Sequence, residues 1–362
     1  MEYRLEDIFD LQMGKTPSRN IPEYWNSKDN KWISIADLSN CGKYIKETKE
    51  CLSDCAVFEN RISQIPKNTV VMSFKLSIGK TAITTEPMYS NEAIMSFRDK
   101  HVVELIPDYI YYMFSYMNWE DGTNKAVMGK TLNKATLSKF KVNIRNIGEQ
   151  RKIVEILDKV TKIIDDYKSE LVSLDELIKA RFVEMFGDLR ENPRGWMLHS
   201  INEMADVITD GEHATPKRTS EGIYLLSARN ILNHSLQLND VDYIDRAEYD
   251  RISKRIVPKE GDVLISCSGT VGRCCSVPAG IKFQMVRSAA LIRFKKEVLP
   301  VFAEYMITSE YIQEQINKAK TASSQANLFQ SKIANLKGFM PPLELQNEFV
   351  EFVKQVDKSR FV

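Results

Sequence analysis

Three Gly-Lys-Thr tripeptides, at 14–16, 79–81 and 129–131, are the first residues in this chain whose types suggest chemistry. Gly-Lys-Thr closes the G-x-x-x-x-G-K-[ST] loop, which wraps nucleotide phosphates in backbone N–H groups. That loop needs a second glycine five residues upstream to make its tight turn. Those positions hold Phe9, Phe74 and Asn124. The turn is unavailable in all three copies, so ATP binding is not expected, and the simpler reading is a glycine turn followed by an exposed lysine. Metal chemistry lacks its ligands in the same way. The cysteines (Cys41, Cys51, Cys55, Cys267, Cys274, Cys275) form no C-x-x-C pair, and His101, His199, His213 and His234 are scattered, so no metal site is expected. An adenine methyltransferase would carry [DN]-P-P-[YF], which neither NPRG (192–195) nor MPPL (340–343) matches. A PD-(D/E)xK nuclease needs its Pro-Asp upstream of the E-x-K, whereas Pro107-Asp108 follows Glu47-Thr48-Lys49. No catalytic residue is assigned.

The elements around these residues repeat. ISIADL (33–38) aligns with LSARNI (226–231), and IPKNTVVMSFKLSIGKTA (65–82) with VPKEGDVLISCSGTVGRCC (257–275). There Pro66 meets Pro258, Gly79 meets Gly272 and Lys80 meets Arg273. LIPDYIYYMF (105–114) aligns with VLPVFAEYMI (298–307), LNKATLSKFKVNI (132–144) with LFQSKIANLKGFM (328–340), and KTPSR (15–19) with ATPKR (214–218). GEQRKIVEILDKV (148–160) aligns with LELQNEFVEFVKQV, placing Gln150 on Gln346. Matches in constant order are a duplicated unit of about half the chain, far longer than the ~20–50 residues of a solenoid repeat.

Each copy reads as α+β: VVMSF and DVLISCS as strands between turn residues, PDYIYYMFSYMNW and PVFAEYMITSEYIQEQINKA as helices opened by proline. Between the copies lies a heptad helix. Its apolar positions Ile153, Leu157, Val160, Ile164, Tyr167, Leu171, Leu174 and Ile178 alternate steps of four and three residues, an unbroken a/d seam. A helix over 149–186, stopped by Gly187, would be about 57 Å long. The C-terminal segment repeats the seam with Leu345, Phe349, Phe352 and Val356 before the sequence ends at Val362. Such seams need cover, so the two helices are expected to pair antiparallel as a spacer or, alternatively, to pack within one globular core. The expected domains are 1–147 and 191–341, with helices over 148–190 and 342–362, the last short or truncated. Net charges are +2 for 1–147, −3 for 148–192, +3 for 193–341 and −1 for 342–362.

At 362 residues, with 43% hydrophobic and 27% charged residues, the chain fits a two-domain globular protein. No apolar run approaches the ~20 residues of a membrane span, and MEYRLEDIFD is acidic and amphipathic, unlike a secretory leader. A cytoplasmic location with reduced thiols is the expectation.

Two repeats, each carrying a [SG]-x-[IV]-G-[KR] turn and each followed by a heptad helix opened through Gln, resemble the specificity (S) subunits of type I restriction–modification systems. MPPLELQ is similar to that family's P-P-L-x-x-Q signature, ISCSGTVGR (265–273) to its strand–turn motif, and SFKLSIGK (73–80) to a looser copy. The resemblance covers the whole chain. It implies two target recognition domains in a pseudo-two-fold arrangement, reading the two halves of a bipartite double-stranded DNA sequence. It also implies that the helices are spacers that dock two methylation subunits, with restriction subunits joining the complex. Catalysis, S-adenosylmethionine, ATP and Mg would then belong to the partner subunits, and this chain would carry no cofactor. A coiled-coil scaffold whose two domains bind proteins instead of DNA is the alternative.

DNA affinity comes largely from phosphates neutralised by Lys and Arg, and sequence is read on base edges by Arg, Lys, Asn, Gln, Ser and Thr. Loops rich in such residues are therefore the expected interface. In the first copy these are Lys15, Thr16, Ser18 and Arg19; Lys75, Ser77 and Lys80; and Lys130, Thr131, Asn133 and Lys134. In the second they are Lys217 and Arg218; Arg229 and Asn230; Ser268, Thr270 and Arg273; and Ser323, Ser324, Gln325, Asn327 and Gln330. Gly79 and Gly272 are expected to serve the turn itself. RAEYDRISKR (246–255) fits a phosphate contact and an ordinary charged helix equally.

Overall fold

The computed structural model describes residues 1–75, 77–119, 132–320 and 327–360. The chain divides into two compact units, Met1–Asp166 and Tyr167–Val362. The division falls within one helix, because each half of that helix packs on its own unit.

The first unit has strands β1 (Glu2–Arg4), β2 (Phe9–Met13), β3 (Asn30–Ile33), β4 (Tyr44–Ile45), β5 (Glu50–Leu52), β6 (Val70–Ser73), β7 (Thr81–Thr84), β8 (Tyr89–Ser90), β9 (Ile94–Asp99) and β10 (Lys141–Asn143). Its helices are α1 (Leu5–Ile8), α2 (Ile35–Asn40), α3 (Asp54–Asn60), α4 (Pro107–Tyr116), α5 (Lys134–Ser138) and the start of α6 (Ile147–Phe186). A five-stranded sheet runs β2-β9-β6-β7-β4, a three-stranded sheet runs β5-β3-β8, and β1 pairs with β10. The central strand β6 is buried along its whole length. Val70 and Met72 face a core under α4 and α5, while Val71 faces a second core with Ile33, Leu38 and Ile94. Side chains alternate faces along a strand, so a run apolar at every position signals cover on both faces.

The second unit has strands β11 (Leu198–Ser200), β12 (Ala205–Asp210), β13 (Ile223–Leu226), β14 (Ile231–Leu232), β15 (Ser235–Leu236), β16 (Asp242–Ile244), β17 (Val263–Ser266), β18 (Cys274–Ser276), β19 (Phe283–Met285), β20 (Ala289–Phe294) and β21 (Lys337–Phe339). Its helices, after the end of α6, are α7 (Ile201–Met204), α8 (Arg246–Ile252), α9 (Pro300–Thr308), α10 (Glu310–Ala319), α11 (Gln330–Asn335) and α12 (Leu343–Ser359). Its sheets repeat the plan of the first unit: β12-β20-β17-β18, β16-β13-β19, and β11 with β21. Val263 and Ile265 of β17 face one core and Leu264 the other, as in β6. The single helix expected from Pro300 onward is interrupted at Ser309, whose extended backbone (ψ 150°) separates α9 from α10.

One glutamine joins each long helix to its unit. Gln150 is fully buried. Its Nε2 donates to the carbonyls of Glu104 (2.8 Å) and Arg145 (2.9 Å), and its Oε1 accepts from the Ile106 N–H at 3.0 Å. Gln346 does the same in the second unit. Its Nε2 donates to Glu297 (2.9 Å) and Pro341 (2.8 Å), and its Oε1 accepts from the Leu299 N–H at 2.8 Å. Each amide thus satisfies the backbone on both sides of the long-helix start and fixes it beside the proline-opened helix, α4 or α9. At the other end of α6, Gly187 stops the helix at φ +83°; a Cβ there would lie 2.7 Å from Pro193 Cγ.

The helix itself is 40 residues long. Among the described residues its seam is covered at its two ends and exposed between them. Ile178 is fully buried with Phe182, Phe349, Val353 and Val356, and Leu345, Phe352 and Leu174 pack on that cluster. Arg181 pairs with Glu348 and Arg360 with Asp175, so α12 runs antiparallel along the last turns of α6. Ile153 packs on the core of the first unit. Val160, Ile164, Tyr167 and Leu171 are 41–57% exposed. The antiparallel pairing is local: α12 has 17 residues and lies along only the last turns of α6. No helix among the described residues is long and apolar enough to cross a membrane.

Gln150→Ala and Gln346→Ala should each leave three backbone groups, most of them part-buried, without their side-chain partner. A loss of about 1–3 kcal/mol is expected, read as reduced amide-exchange protection confined to the unit that carries the change.

Candidate nucleic-acid interface

The Gly-Lys-Thr at 79–81 and its counterpart at 272–274 are built identically. In the first unit, β6 ends in Ser73, whose Oγ donates to the Ser77 carbonyl and accepts from the Lys80 N–H at 3.1 Å. The Gly79 N–H donates back to the Ser73 carbonyl at 2.9 Å. In the second, Ser266 Oγ donates to the Thr270 carbonyl at 2.7 Å and accepts from the Arg273 N–H at 2.9 Å, and the Gly272 N–H donates to the Ser266 carbonyl at 2.9 Å. Both glycines sit in the left-handed region, at φ +89° and +93°. A Cβ on Gly79 would meet the Trp119 ring at 3.0 Å, and one on Gly272 would meet Gln313 Oε1 at 2.8 Å. The glycine therefore makes a tight serine-stapled turn, not a phosphate loop, and the following cation leaves it at a fixed place. Lys80 Nζ reaches Ser39 Oγ at 2.6 Å.

The loop after the first strand of each large sheet begins at another constrained glycine. A Cβ on Gly14 would fall 2.1 Å from the Ser90 carbonyl, and one on Gly211 would fall 2.4 Å from that of Met285. In the first unit this loop is tied down along its length. The Lys15 carbonyl accepts from Trp32 Nε1 (3.1 Å), Lys15 Nζ donates to the Asn60 carbonyl (2.8 Å), and the Ser18 carbonyl accepts from Trp25 Nε1 (3.0 Å). Thr16 Oγ1 donates to the Glu92 carboxylate. Arg19 lies 3.7 Å above the Trp25 ring and holds Glu50 with two hydrogen bonds, 2.5 and 3.0 Å. The Arg19 guanidinium keeps the Glu50 carboxyl below the usual carboxylate range. In the second unit Arg218 Nε donates to Asp242 (2.9 Å), as does Arg229 Nη2 (3.0 Å). Burial alone would raise Asp242, but the two guanidinium groups outweigh it and hold the carboxyl low. Isolated pairs this exposed contribute only about 0–1 kcal/mol to global stability.

Several expected readers are scaffold instead. Asn230 is fully buried. Its Oδ1 accepts from the Ser227 N–H (2.9 Å) and hydroxyl, and its Nδ2 donates to the Gln237 and Asp240 carbonyls. Asp37 holds the same place in the first unit and accepts from the Ser34 N–H and hydroxyl. Both are reciprocal helix caps, so Asn230 presents no polar atom to a ligand. Asn133 caps α5 through the Thr136 N–H at 2.8 Å. Gln330 Nε2 donates to the Ile208 carbonyl at 2.5 Å, and the backbone of Asn327 bridges antiparallel to that of Ser268. In 246–255, Arg246 pairs with Asp250, Arg251 with Glu248 and Glu212, and Arg255 with Asp210. The ordinary charged helix is thus the better description of that segment.

The side chains of Ser77, Lys134, Lys217, Ser268, Thr270 and Arg273 make no hydrogen bond or ion pair among the described residues, and Lys75 rests 5.3 Å from the Phe74 ring centroid. Lys130, Thr131, Ser323, Ser324 and Gln325 lie outside the described residues. Sequence reasoning missed Glu50, Asp242, Trp25 and Trp32. The two carboxylates had a usable signal, because they occupy equivalent places in the repeat. Burial pushes the Cys267 thiol up to about 12 and Cys274 well above its ordinary value, which keeps these thiols protonated and unreactive.

The chain belongs to the family described as the type I restriction modification DNA specificity domain, which matches residues 1–173 and again 193–361. Among curated relatives, the type I restriction enzyme MjaIX specificity subunit of Methanocaldococcus jannaschii is 26% identical over 223 residues, 56% of this chain and 51% of the relative. The EcoprrI specificity subunit of Escherichia coli is 24% identical over 172 residues, 44% of this chain and 42% of the relative. The matched stretches thus span about half the length of these relatives. The S subunit of a type I restriction–modification system from M. genitalium shares the fold with a TM-score of 0.52 at 13% identity, covering 99% of this chain and 90% of the other. A chain from a structure addressing assembly and conformational transition of the type I R-M system gives 0.56 at 14%, with the same coverage.

Gly272→Ala should cost about 1–3 kcal/mol through left-handed backbone strain and the Gln313 clash, and Asn230→Ala about as much through orphaned backbone groups. Urea unfolding measures both. A neutral outcome for Asn230→Ala would return that residue to the surface.

Proposed function

We propose that this chain is the non-catalytic, DNA-reading subunit of a type I restriction–modification complex, with each unit reading one half of a bipartite double-stranded target. The observation that carries this reading is the repeated serine-stapled turn. Its scaffold is kept bond for bond in both units, while the side chains it presents differ: Ser77 against Thr270, and Lys80 against Arg273. One scaffold bearing two sets of polar residues suits two different half-sites. The cations that meet phosphate are Lys75, Lys80 and Lys134 in the first unit and Lys217 and Arg273 in the second. The expected domain limits, 1–147 and 191–341, bound the reading units, and 148–190 and 342–362 the helices between and after them. The helices set the distance between half-sites and dock two methylation subunits, and restriction subunits join that complex. S-adenosylmethionine, ATP and Mg bind those partners.

The bare seam supports the docking part. Val160, Ile164, Tyr167 and Leu171 form an exposed apolar stripe of the kind that marks a protein interaction site. It also fits the scaffold alternative, so the two readings part on DNA.

Selection from a random duplex pool, with the chain in complex with its methylation subunits, should return two short conserved blocks separated by a fixed gap. Affinity should fall steeply with salt, by about 0.9 log units per tenfold salt for each phosphate neutralised. A flat salt response with no enriched sequence would overturn the DNA reading and leave the scaffold. Ile164→Asp should reduce co-purification of the methylation subunits at least tenfold while leaving the fold of both units intact by circular dichroism. Undiminished co-purification would remove the stripe from the docking surface.

A further inference from the structure

We infer that Arg19 and Arg218 are positioning residues, each tying the loop after the first sheet strand to a carboxylate at the start of a short strand. They act on DNA reading through loop geometry and not by touching DNA. The inference rests on the DNA-reading role proposed above, although its structural part stands without it.

The two struts are equivalent by register. β3 and β5 pair antiparallel with Trp32 opposite Glu50. β13 and β16 pair the same way with Leu225 opposite Asp242. β3 and β13 each carry a parallel neighbour on the other side, β8 and β19. Glu50 and Asp242 therefore occupy one place in the repeated fold. Each receives an arginine from the same loop, two residues after the proline of a Thr-Pro pair: Thr16-Pro17 before Arg19 and Thr215-Pro216 before Arg218. Both prolines are buried.

The surroundings of the two carboxylates differ, yet the strut is kept. In the first unit Arg19 is stacked on Trp25, and both tryptophans donate into the loop backbone at Ser18 and Lys15. In the second unit Trp32 is replaced by Leu225, and Arg229 shares Asp242 with Arg218. The loop there is tied again through the Lys217 N–H to Glu248 at 3.2 Å and the Thr219 N–H to the Tyr243 carbonyl at 2.9 Å. A feature that survives such different packing is held by its own geometry. Arg19 holds Glu50 through two hydrogen bonds from one planar guanidinium, which fix direction as well as distance; Asp242 receives one bond from Arg218 and one from Arg229. An arginine engaged in this way has its charge already compensated, so it displaces few counterions from a phosphate backbone. Loops of this kind open locally at low cost, which is where one exposed ion pair has leverage.

The test uses the full chain with Arg19→Gln, Glu50→Gln and the double change, and in parallel Arg218→Gln and Asp242→Asn. Amide hydrogen exchange over residues 14–21 should rise about fivefold in either single variant and no further in the double. The charge-reversed pair, Arg19→Glu with Glu50→Arg, should restore protection. Unchanged exchange in the singles would overturn the strut, whether or not DNA is bound. On a random-sequence duplex, Arg19→Gln should leave the salt slope as it is. Selection should show one half-site losing definition equally with Arg19→Gln and Glu50→Gln. A slope lowered by about one in Arg19→Gln, with tighter binding in Glu50→Gln, would make Arg19 a direct phosphate contact and refute the proposal. If the unaltered chain binds no duplex at all, the DNA-reading role fails and the exchange result alone decides the strut.

Discussion

The structure depends on a buried primary amide. Gln150 and Gln346 each spend both ends of the side chain on backbone groups that no helix or strand satisfies. Such groups are costly to bury unpaired, so the long helix can leave its unit only where the amide reaches all three of them. The proline-opened helix, the strand that closes the unit and the start of the long helix are thereby held together. The repetition of this clip at both α6 and α12 makes the chain two copies of one plan, each with its own exit helix.

Inside that frame, interaction and scaffold are separated by how fully a polar group is satisfied. The serine staple uses the backbone of its turn and leaves the side chains of Ser77, Thr270 and Arg273 uncommitted among the described residues, while Lys80 reaches Ser39. Asn230 and Asp37 use their side chains inward as caps. The carboxylates Glu50 and Asp242 stand between these cases. They are part-exposed and charged, and they are engaged by arginines that a composition-based reading assigns to the ligand.

The seam of α6 shows the same division along one helix. Where α12 lies beside it, Ile178 and Phe182 are buried among aromatic rings, with Phe182 and Phe349 centroids 5.3 Å apart. Beyond α12 the same periodicity continues through Leu171, Tyr167, Ile164 and Val160, which are exposed among the described residues. An apolar stripe left exposed among the described residues is a candidate interaction surface.

Much of this was legible in the residues alone. The duplication, the strands VVMSF and DVLISCS, the heptad helix and its stop at Gly187, and the structural duty of Gly79 and Gly272 all follow from local rules. Those rules are periodicity, turn chemistry and positive-φ glycine, and each acts within a few residues of the sequence. The break between α9 and α10 at Ser309 was not legible, because the pattern on both sides is helical and only the packing of the two helices sets the bend. Nor was the fate of the polar residues. Whether Arg19 is a reader or a strut depends on Glu50, 31 residues away, and whether Asn230 is exposed depends on carbonyls of a later loop. Sequence determined the elements and their repetition, since short-range preferences specify those. Tertiary structure decided which polar groups remain available, because a hydrogen-bond partner is chosen by distance in space.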